Sequence, residues 1–394
     1  MNASVATPAR ALVVDDNAMN RDVLSRRLQR SGHAVEAVED GHRALARLKE
    51  QSFDLILLDV MMPGIDGYEV LARLKDDPGL RHIPVIMISA LGETDSVVKC
   101  LALGADDYLT KPFNPLILQA RVDACLLKKR VHDGEMRQLQ SMERELEIGR
   151  AIQAGFLPDS LPQLPGWDIA VRFRPARQVA GDFYDLFPIH GNGGVFMVVA
   201  DVCDKGVGAA LYMALFRSLI RATASQPFAP GTTAADILLA ATALTNDYIA
   251  RVHNRANMFA TAFMGLLDPG SGSLSYVNAG HDAPLVAGAD GSVRQRLGAT
   301  GPALGLLPEQ RFDVGRAQLA PGEVLLGYTD GVVEAAGGDG AFGEARLQQA
   351  VGAQTTHSSE LLLQRVETAL DDYSQQASAA ADDITMVALR RATA

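Results

Sequence analysis

The sequence predicts a multidomain chain in which a doubly wound α/β unit leads through a helical linker into an α+β unit, and three observations predict it. From residue 10 to about 128, short apolar strands alternate with amphipathic helical stretches, the rhythm of a parallel sheet with helices on both faces. A proline-free run with one polar face then covers residues 128–156, which reads as a long helix. Beyond it, strands are separated by hairpin signals, which suit antiparallel pairs better than crossovers.

The 394 residues, 48% hydrophobic and 21% charged, suffice for two or three cores. A net charge of -11 disfavours binding to phosphate backbones, and no helix-turn-helix pattern follows residue 128, so no nucleic-acid partner is expected. No uninterrupted apolar stretch approaches the roughly 18 residues of a membrane span, and "MNASVATPAR" lacks a secretory core, so the expectation is a cytoplasmic chain without a membrane partner. Cys100, Cys125 and Cys203 are odd in number and lack metal-site spacing; they read as reduced thiols.

After a flexible N-terminus over residues 1–9, the first unit spans 10–128. Its strands are "ALVVDD", "AVEAVED", "LILLD", "PVIMISA" and "DYLTKPF". In such a sheet ligands sit at the carboxyl ends of the strands. Asp15 and Asp16 end the first strand and Asp59 the third, so three carboxylates converge. They repel one another unless a cation joins them, and a hard ion such as Mg²⁺ does so with oxygen ligands while leaving positions for phosphate. Asp59 then becomes a nucleophile for phosphoryl transfer. Lys111, ending the fifth strand, supplies positive charge, and Ser89, ending the fourth, a hydroxyl. Taken singly, Asp-Asp after a strand is a helix cap and Lys-Pro a turn; the combination carries the chemistry.

These motifs, "VVDDNAMN", "LILLDVMMPGIDGYE", "MISA" and "DDYLTKPF", resemble the receiver domains of two-component response regulators. The resemblance implies a sheet of order 2-1-3-4-5 and phosphorylation of Asp59 by a sensor histidine kinase or phosphotransfer protein. It further implies Mg²⁺ held by Asp15 or Asp16 and the Met61 carbonyl beside Asp59, Ser89 and Tyr108 as switch residues, and a cis peptide at Lys111-Pro112.

The linker covers residues 129–157. Met136, Leu139, Met142 and Leu146 recur at spacings of three and four; the stripe either pairs with a second copy as a coiled coil or docks as a single helix. Prolines at 158, 162 and 165 are expected to end it.

The last unit spans 158–394. Hairpins are expected at "LLDPGSGSLSYV" and "LVAGADGSVRQ", and helices near 208–225 and 234–252. Asp182 and Asp185 in "VAGDFYDLF", Asp201, Asp330, and Asp382 with Asp383 in "AADDITMVAL" make four acidic stations, each beside a strand. That is what a binuclear site of hard cations requires, and one such ion can lower the pKa of a water enough for attack on phosphorus. No nucleophilic side chain is then needed, in keeping with the absence of Gly-x-Ser-x-Gly, Cys-x5-Arg and Walker-type motifs.

The ordered set Gly-Asp-Phe-Tyr-Asp, Asp-Val-x-x-x-Gly-Val-x-Ala-Ala-Leu, Asn-Ala-Gly-His, Gly-x-x-Leu-Gly-Leu, Tyr-Thr-Asp-Gly and Asp-Asp-Ile-Thr looks like the bacterial branch of the PPM (type 2C-like) serine/threonine phosphatases. The resemblance implies a β-sandwich flanked by helices, two Mn²⁺ or Mg²⁺ ions, and a phosphorylated anti-sigma-factor antagonist as substrate. It implies that Asp201 bridges the ions, that the Val202 carbonyl joins one, that Asp330 and Asp382 hold the other, and that Asp182 lies in the shell around them. Asp382 and Asp383 are interchangeable at this stage. Where relatives carry Ser-Gly-His-Gly after the bridging aspartate, this chain has Cys203, Asp204, Lys205 and Gly206, so no histidine stands there. Lys205 either binds substrate phosphate or is solvated, His281 is better read as a structural hydrogen-bonding group than as an acid, and Glu334 as either a neighbour of the site or a helix cap. The alternative to a phosphorylation-controlled phosphatase is an idle phosphatase fold used as a gated binding module, which has no reason to keep clustered carboxylates.

Overall fold

The computed structural model describes residues 8–90, 94–189, 193–338, 340–352, 358–374 and 382–393. The chain divides into two compact units, Met1–Met142 and Glu143–Ala394.

In the first unit, strands β1 (Arg10–Val14), β2 (Ala34–Val38), β3 (Leu55–Asp59), β4 (Val85–Ala90) and β5 (Asp107–Lys111) alternate with helices α1 (Ala18–Arg30), α2 (Gly41–Glu50), α3 (Gly67–Asp76), α4 (Thr94–Ala102) and the start of α5 (Pro115–Ala154). The strands pair in parallel in the order β2-β1-β3-β4-β5, as expected. A five-residue apolar strand such as Leu55–Asp59, buried throughout, needs cover on both faces. One face packs Leu24 and Leu28 of α1 with Leu118, Val122 and Leu126 of α5. The other packs Ala44 and Leu48 of α2 with Val70, Leu71 and Leu74 of α3. Ala9 is already buried and its amide donates to His33 Nδ1, so the anchored chain begins just ahead of residue 10. Residues 1–7 of the expected flexible N-terminus lie outside the described residues.

The helix α5 crosses the expected boundary between the first unit and the linker. It runs unbroken for 40 residues from Pro115, with no interruption at residue 128, and it stops before Gly155 rather than at Pro158. Met136, Leu139 and Met142 are about half exposed.

The second unit contains β6 (Trp167–Arg174), β7 (Phe183–Pro188), β8 (Val195–Val202), α6 (Val207–Ala224), α7 (Ala234–Val252), β9 (Ala260–Leu267), β10 (Ser273–Ala279), β11 (Leu285–Ala287), β12 (Val293–Arg296), β13 (Gly315–Gln318), β14 (Val324–Tyr328), α8 (Asp330–Val333), the short pair β15 (Ala336–Gly337) and β16 (Gly340–Ala341), α9 (Gly343–Gly352), α10 (Ser359–Ser374) and β17 (Ile384–Arg391). Two five-stranded antiparallel sheets form, β13-β10-β9-β8-β7 and β12-β11-β14-β17-β6. Met197, Val199 and Phe263 of one meet Val286, Leu325 and Val387 of the other in a shared core. The outer face of the first sheet is covered by α6 and α7, that of the second by α9 and α10. Among the described residues α6 is the one helix long and apolar enough for a membrane span by length and composition, a feature the search for uninterrupted apolar runs missed. Met213, Phe216 and Ile220 bury its inner face against the sheet, which accounts for the apolarity.

Candidate active site

Register brings the acidic stations of the second unit together. Asp182 immediately precedes β7 and Asp201 lies near the end of β8; the two strands are antiparallel neighbours with Phe183 opposite Ala200, so both carboxylates stand at one end of that sheet. In the facing sheet Tyr328 at the end of β14 pairs with Met386 near the start of β17, which sets Asp330 beside Asp382 and Asp383. The two pairs are stitched across the sandwich by threonines. Asp182 Oδ2 accepts from Thr329 Oγ1 and Thr385 Oγ1, both at 2.7 Å, and the Thr385 amide donates to Thr329 Oγ1 at 3.0 Å.

Close approach of like charges in a buried setting is visible in the titration of these groups. Burial, with Asp201 next in weight, pushes Asp182 well above the usual carboxylate range. Burial and then the charge of Asp330 push Asp201 up to about 7, against a hydrogen bond with Asp182. Burial followed by Asp382, Glu334 and Asp282 brings Asp330 up to about 6. Oxygen donors alone, crowded and resisting ionisation, fit a hard divalent cation. Among the described residues only Asp15, Asp16 and Asp59 of the first unit offer three ligand atoms all within 4.8 Å of one another; the four stations here are neighbours at a wider spacing.

The two adjacent aspartates of the last station are told apart by their partners. Asp383 is buried and accepts from the amides of Ala176 at 2.7 Å and Gly181 at 2.8 Å, so it braces the loop before β7. Asp382 is half-buried, with Lys205 Nζ at 2.7 Å from its Oδ2. His281 is buried, bonded through Nδ1 to Thr261 Oγ1 at 2.8 Å, and held by burial down to about 4; a neutral, enclosed imidazole fits the structural role. Asp185 is not part of the acidic cluster. It pairs with Arg221 at 2.7 Å and Arg217 at 3.1 Å, fastening α6 to β7. Glu334 does both things expected of it in the alternative, as the C-cap of α8 and as a charge felt by Asp330.

Sequence reasoning missed Thr329, Thr385, Arg177 and Asp282. Thr329 and Thr385 were inside the quoted motifs, and hydroxyls flanking aspartates were the available signal. Arg177 is exposed and near enough for its charge to oppose that of Lys205; nothing in its local sequence marked it. Asp282 is raised by burial, with Glu334 and Glu344 adding to the effect.

In the first unit Asp15, Asp16 and Asp59 gather as expected. Lys111 Nζ reaches Asp59 Oδ2 at 2.7 Å and Asp15 Oδ2 at 3.0 Å. Asp15 Oδ1 also accepts from the Asn17 amide and Asn20 Nδ2. Burial raises Asp59 while its bond to Lys111 opposes the rise, and the Met61 backbone helps hold the carboxylate. Ser89 is buried at the end of β4, Tyr108 lies on β5 under the Arg121 guanidinium at 4.8 Å, and Lys111-Pro112 is cis.

Both units have relatives among known proteins. Residues 191–392 match the family described as stage II sporulation protein E (SpoIIE), and residues 11–123 match the response regulator receiver domain. Protein IcfG of Synechocystis sp. is 40% identical over 324 residues, which cover 77% of this chain and 49% of that protein. Response regulator PleD of Caulobacter vibrioides is 44% identical over 140 residues, 36% of this chain and 31% of that protein. The chain thus spans about half the length, or less, of these curated relatives. The SiaA-PP2C domain of Pseudomonas aeruginosa superimposes with a TM-score of 0.52 at 24% identity, covering 64% of this chain and 98% of that domain, a likeness of fold.

Proposed function

Because the chain belongs to the stage II sporulation protein E (SpoIIE) family, with a receiver domain ahead of the family segment, we propose that it is a response regulator whose receiver controls a metal-dependent protein serine/threonine phosphatase. In this reading residues 10–128 receive the signal, 129–157 carry it and 158–394 respond. The observation that carries the reading is the meeting of Asp182 and Asp201 from one sheet with Asp330 and Asp382 from the other at a single rim of the sandwich.

Two Mn²⁺ or Mg²⁺ ions would be held by Asp201, the Val202 carbonyl, Asp330 and Asp382, with Asp182 close by. When bound, such ions supply a polarised water and neutralise charge on a phosphoryl group. The rest falls to the chain's own side chains. Asp182, gripped by two threonines, orients Asp201 through their hydrogen bond. Lys205 and Arg177 set cations at the rim, where the dianion of phosphoserine or phosphothreonine arrives. His281, neutral and enclosed, takes no part in proton transfer.

In the receiver, Asp59 accepts a phosphoryl group from the phosphohistidine of a sensor kinase or phosphotransfer protein, Lys111 offsets the charge, and Asp59, Asp15 or Asp16 and the Met61 carbonyl would hold Mg²⁺. Ser89 and Tyr108 then respond. The substrate is a signalling phosphoprotein, an anti-sigma-factor antagonist by the kinship of the catalytic half, met in the cytoplasm. The half-exposed stripe on α5 supports pairing of two copies.

The test is manganese-dependent hydrolysis of a chromogenic phosphate ester and of a phosphoserine protein by the full chain. Both activities are expected to disappear in Asp201→Ala, and wild-type protein inert towards both substrates with either metal would refute the reading.

A further inference from the structure

The ladder between β8 and β9 runs on past the acidic site. Asp201 pairs with Thr261 and Val202 with Ala260, and one rung farther the Cys203 amide donates to the Phe259 carbonyl at 3.0 Å. Phe259 therefore stands two residues beyond the level of Asp201, about 7 Å at the rise of a strand. Beside it, between the end of α7 and the segment entering β9, lies a cavity of about 250 Å³ walled by Ala250, Met258, Phe259 and Leu306, with Asn254 and Asn257 as its polar members. Among the described residues no charged side chain lines it. Small-molecule sites run from about 300 to 1,000 Å³, so this cavity suits one side chain better than a cofactor-sized ligand. Its walls favour an apolar side chain, and a charged one would lose its water there without gaining a partner.

A buried amide holds Leu306 at the rim of this cavity. Asn246 of α7 is fully buried. Its Oδ1 accepts from the Gly305 amide at 2.9 Å and its Nδ2 donates to the Leu307 carbonyl at 3.0 Å, so the backbone on either side of Leu306 is pinned to the helix. Gly305 has a φ of +87°, and a Cβ there would lie 2.6 Å from Ile249 Cγ2; only glycine lets the loop press so closely on α7. A loop fixed this firmly still leaves Leu306 49% and Leu307 61% exposed. On the neighbouring face of α7, Tyr248 and Val252 are exposed as well. Rigidly presented apolar groups beside a cavity of the same character make a recognition surface that needs no ordering when a partner arrives.

We propose that this cavity is a substrate subsite, which takes an apolar side chain of the phosphoprotein two or three residues from the phosphorylated serine or threonine, and that Leu306 is its specificity-determining residue. The inference rests on the phosphatase reading above. With the phosphoryl group at the acidic carboxylates, an extended substrate backbone covers the interval to Phe259 in about two residues. Leucine at that place in the substrate would be buried against Met258, Phe259 and Leu306, whereas aspartate would be desolvated unpaired.

The experiment uses the full chain with manganese, a chromogenic phosphate ester, and phosphoserine peptides of one sequence in which leucine or aspartate occupies in turn each position up to three residues away on either side. The wild type is expected to show a kcat/KM about tenfold higher for leucine than for aspartate at a position two or three residues from the phosphoserine. Leu306→Asp, at a half-exposed place where the fold has little to lose, is expected to bring that ratio close to one while its rate on the ester stays within about twofold of the wild type. Leu306→Ala should fall between the two, and it decides by the same criteria if the aspartate variant loses its fold. A wild type that hydrolyses the ester but treats all the peptides alike, or discriminates only at the positions adjoining the phosphoserine, overturns the inference and leaves the phosphatase reading standing. A leucine preference that survives intact in Leu306→Asp overturns it as well. A wild type that hydrolyses neither ester nor peptides removes the phosphatase reading and the inference together.

Discussion

Two glycines show how little room the acidic site leaves. A Cβ at Gly331 would meet the Asp383 carbonyl oxygen at 2.0 Å, and one at Gly181 would meet that of Val202 at 2.8 Å. Both obstacles are backbone and cannot swing away, so Gly181→Ala should cost about 1 to 3 kcal/mol and depress kcat. Denaturant melts and initial rates check this, and an unchanged rate would mean that the backbone approach has no bearing on catalysis. Asp201 offers a pH test. An unfolded aspartate loses its proton near 3.8, whereas burial and Asp330 hold folded Asp201 to about 7. Between those values the metal-free fold retains a proton that the unfolded chain has lost, so stability falls as pH rises from about 4 to 7 and the penalty is complete above that. Asp201→Asn removes the titrating group. In chelator at pH 8 it should melt above the wild type, by about 2 to 4 kcal/mol, with the difference gone near pH 4. Manganese should reverse the order by stabilising the wild type alone. Equal melting temperatures at both pH values would show that the carboxylates are not crowded.

At the scale of elements, α5 and α6 carry different burdens. The stripe of Met136, Leu139 and Met142 is about half exposed, which disfavours the docked alternative for that stretch and suits a seam between copies. Leu139→Lys with Met142→Lys should halve the mass seen by light scattering while the circular dichroism spectrum stays helical; equal masses for variant and wild type would exclude the seam. The helix α6 depends on an ion pair that is almost wholly enclosed, since Asp185 is 1% exposed and Arg217 12%. Asp185→Ala leaves the Arg217 guanidinium buried without its partner and should cost about 3 kcal/mol. A loss below about 0.5 kcal/mol, the range of ordinary surface changes, would mean that water already reaches the pair.

For the molecule as a whole, each unit has its own core, so unfolding should proceed in two transitions. A ligand stabilises the unit it binds by mass action. Beryllofluoride with magnesium should therefore raise one melting transition, and manganese in the presence of Asp59→Ala the other. A single calorimetric peak displaced as one by either ligand would show that the units unfold together.

Much of this organisation is written in short stretches of chain. Alternation of apolar strands and helices announced the parallel sheet, and Asp15, Asp16, Asp59 and Lys111 could be placed because strand ends in such a sheet share one edge. Hairpin signals announced the antiparallel unit, and four acidic stations announced the carboxylates gathered at its rim. Contacts between distant segments were decided only in the folded chain. Asp382 and Asp383 are indistinguishable neighbours until the loop at Ala176 and Gly181 claims one and leaves the other to Lys205. Thr329 and Thr385 gained their role when two sheets closed on Asp182, and α5 could be seen as one helix only where no packing break appeared at residue 128. Periodicity and turn chemistry act over a few residues and can be read locally, whereas the partner of a buried carboxylate, or of the Asn246 amide, is whatever side chain or backbone the tertiary fold brings within 3.0 Å of it.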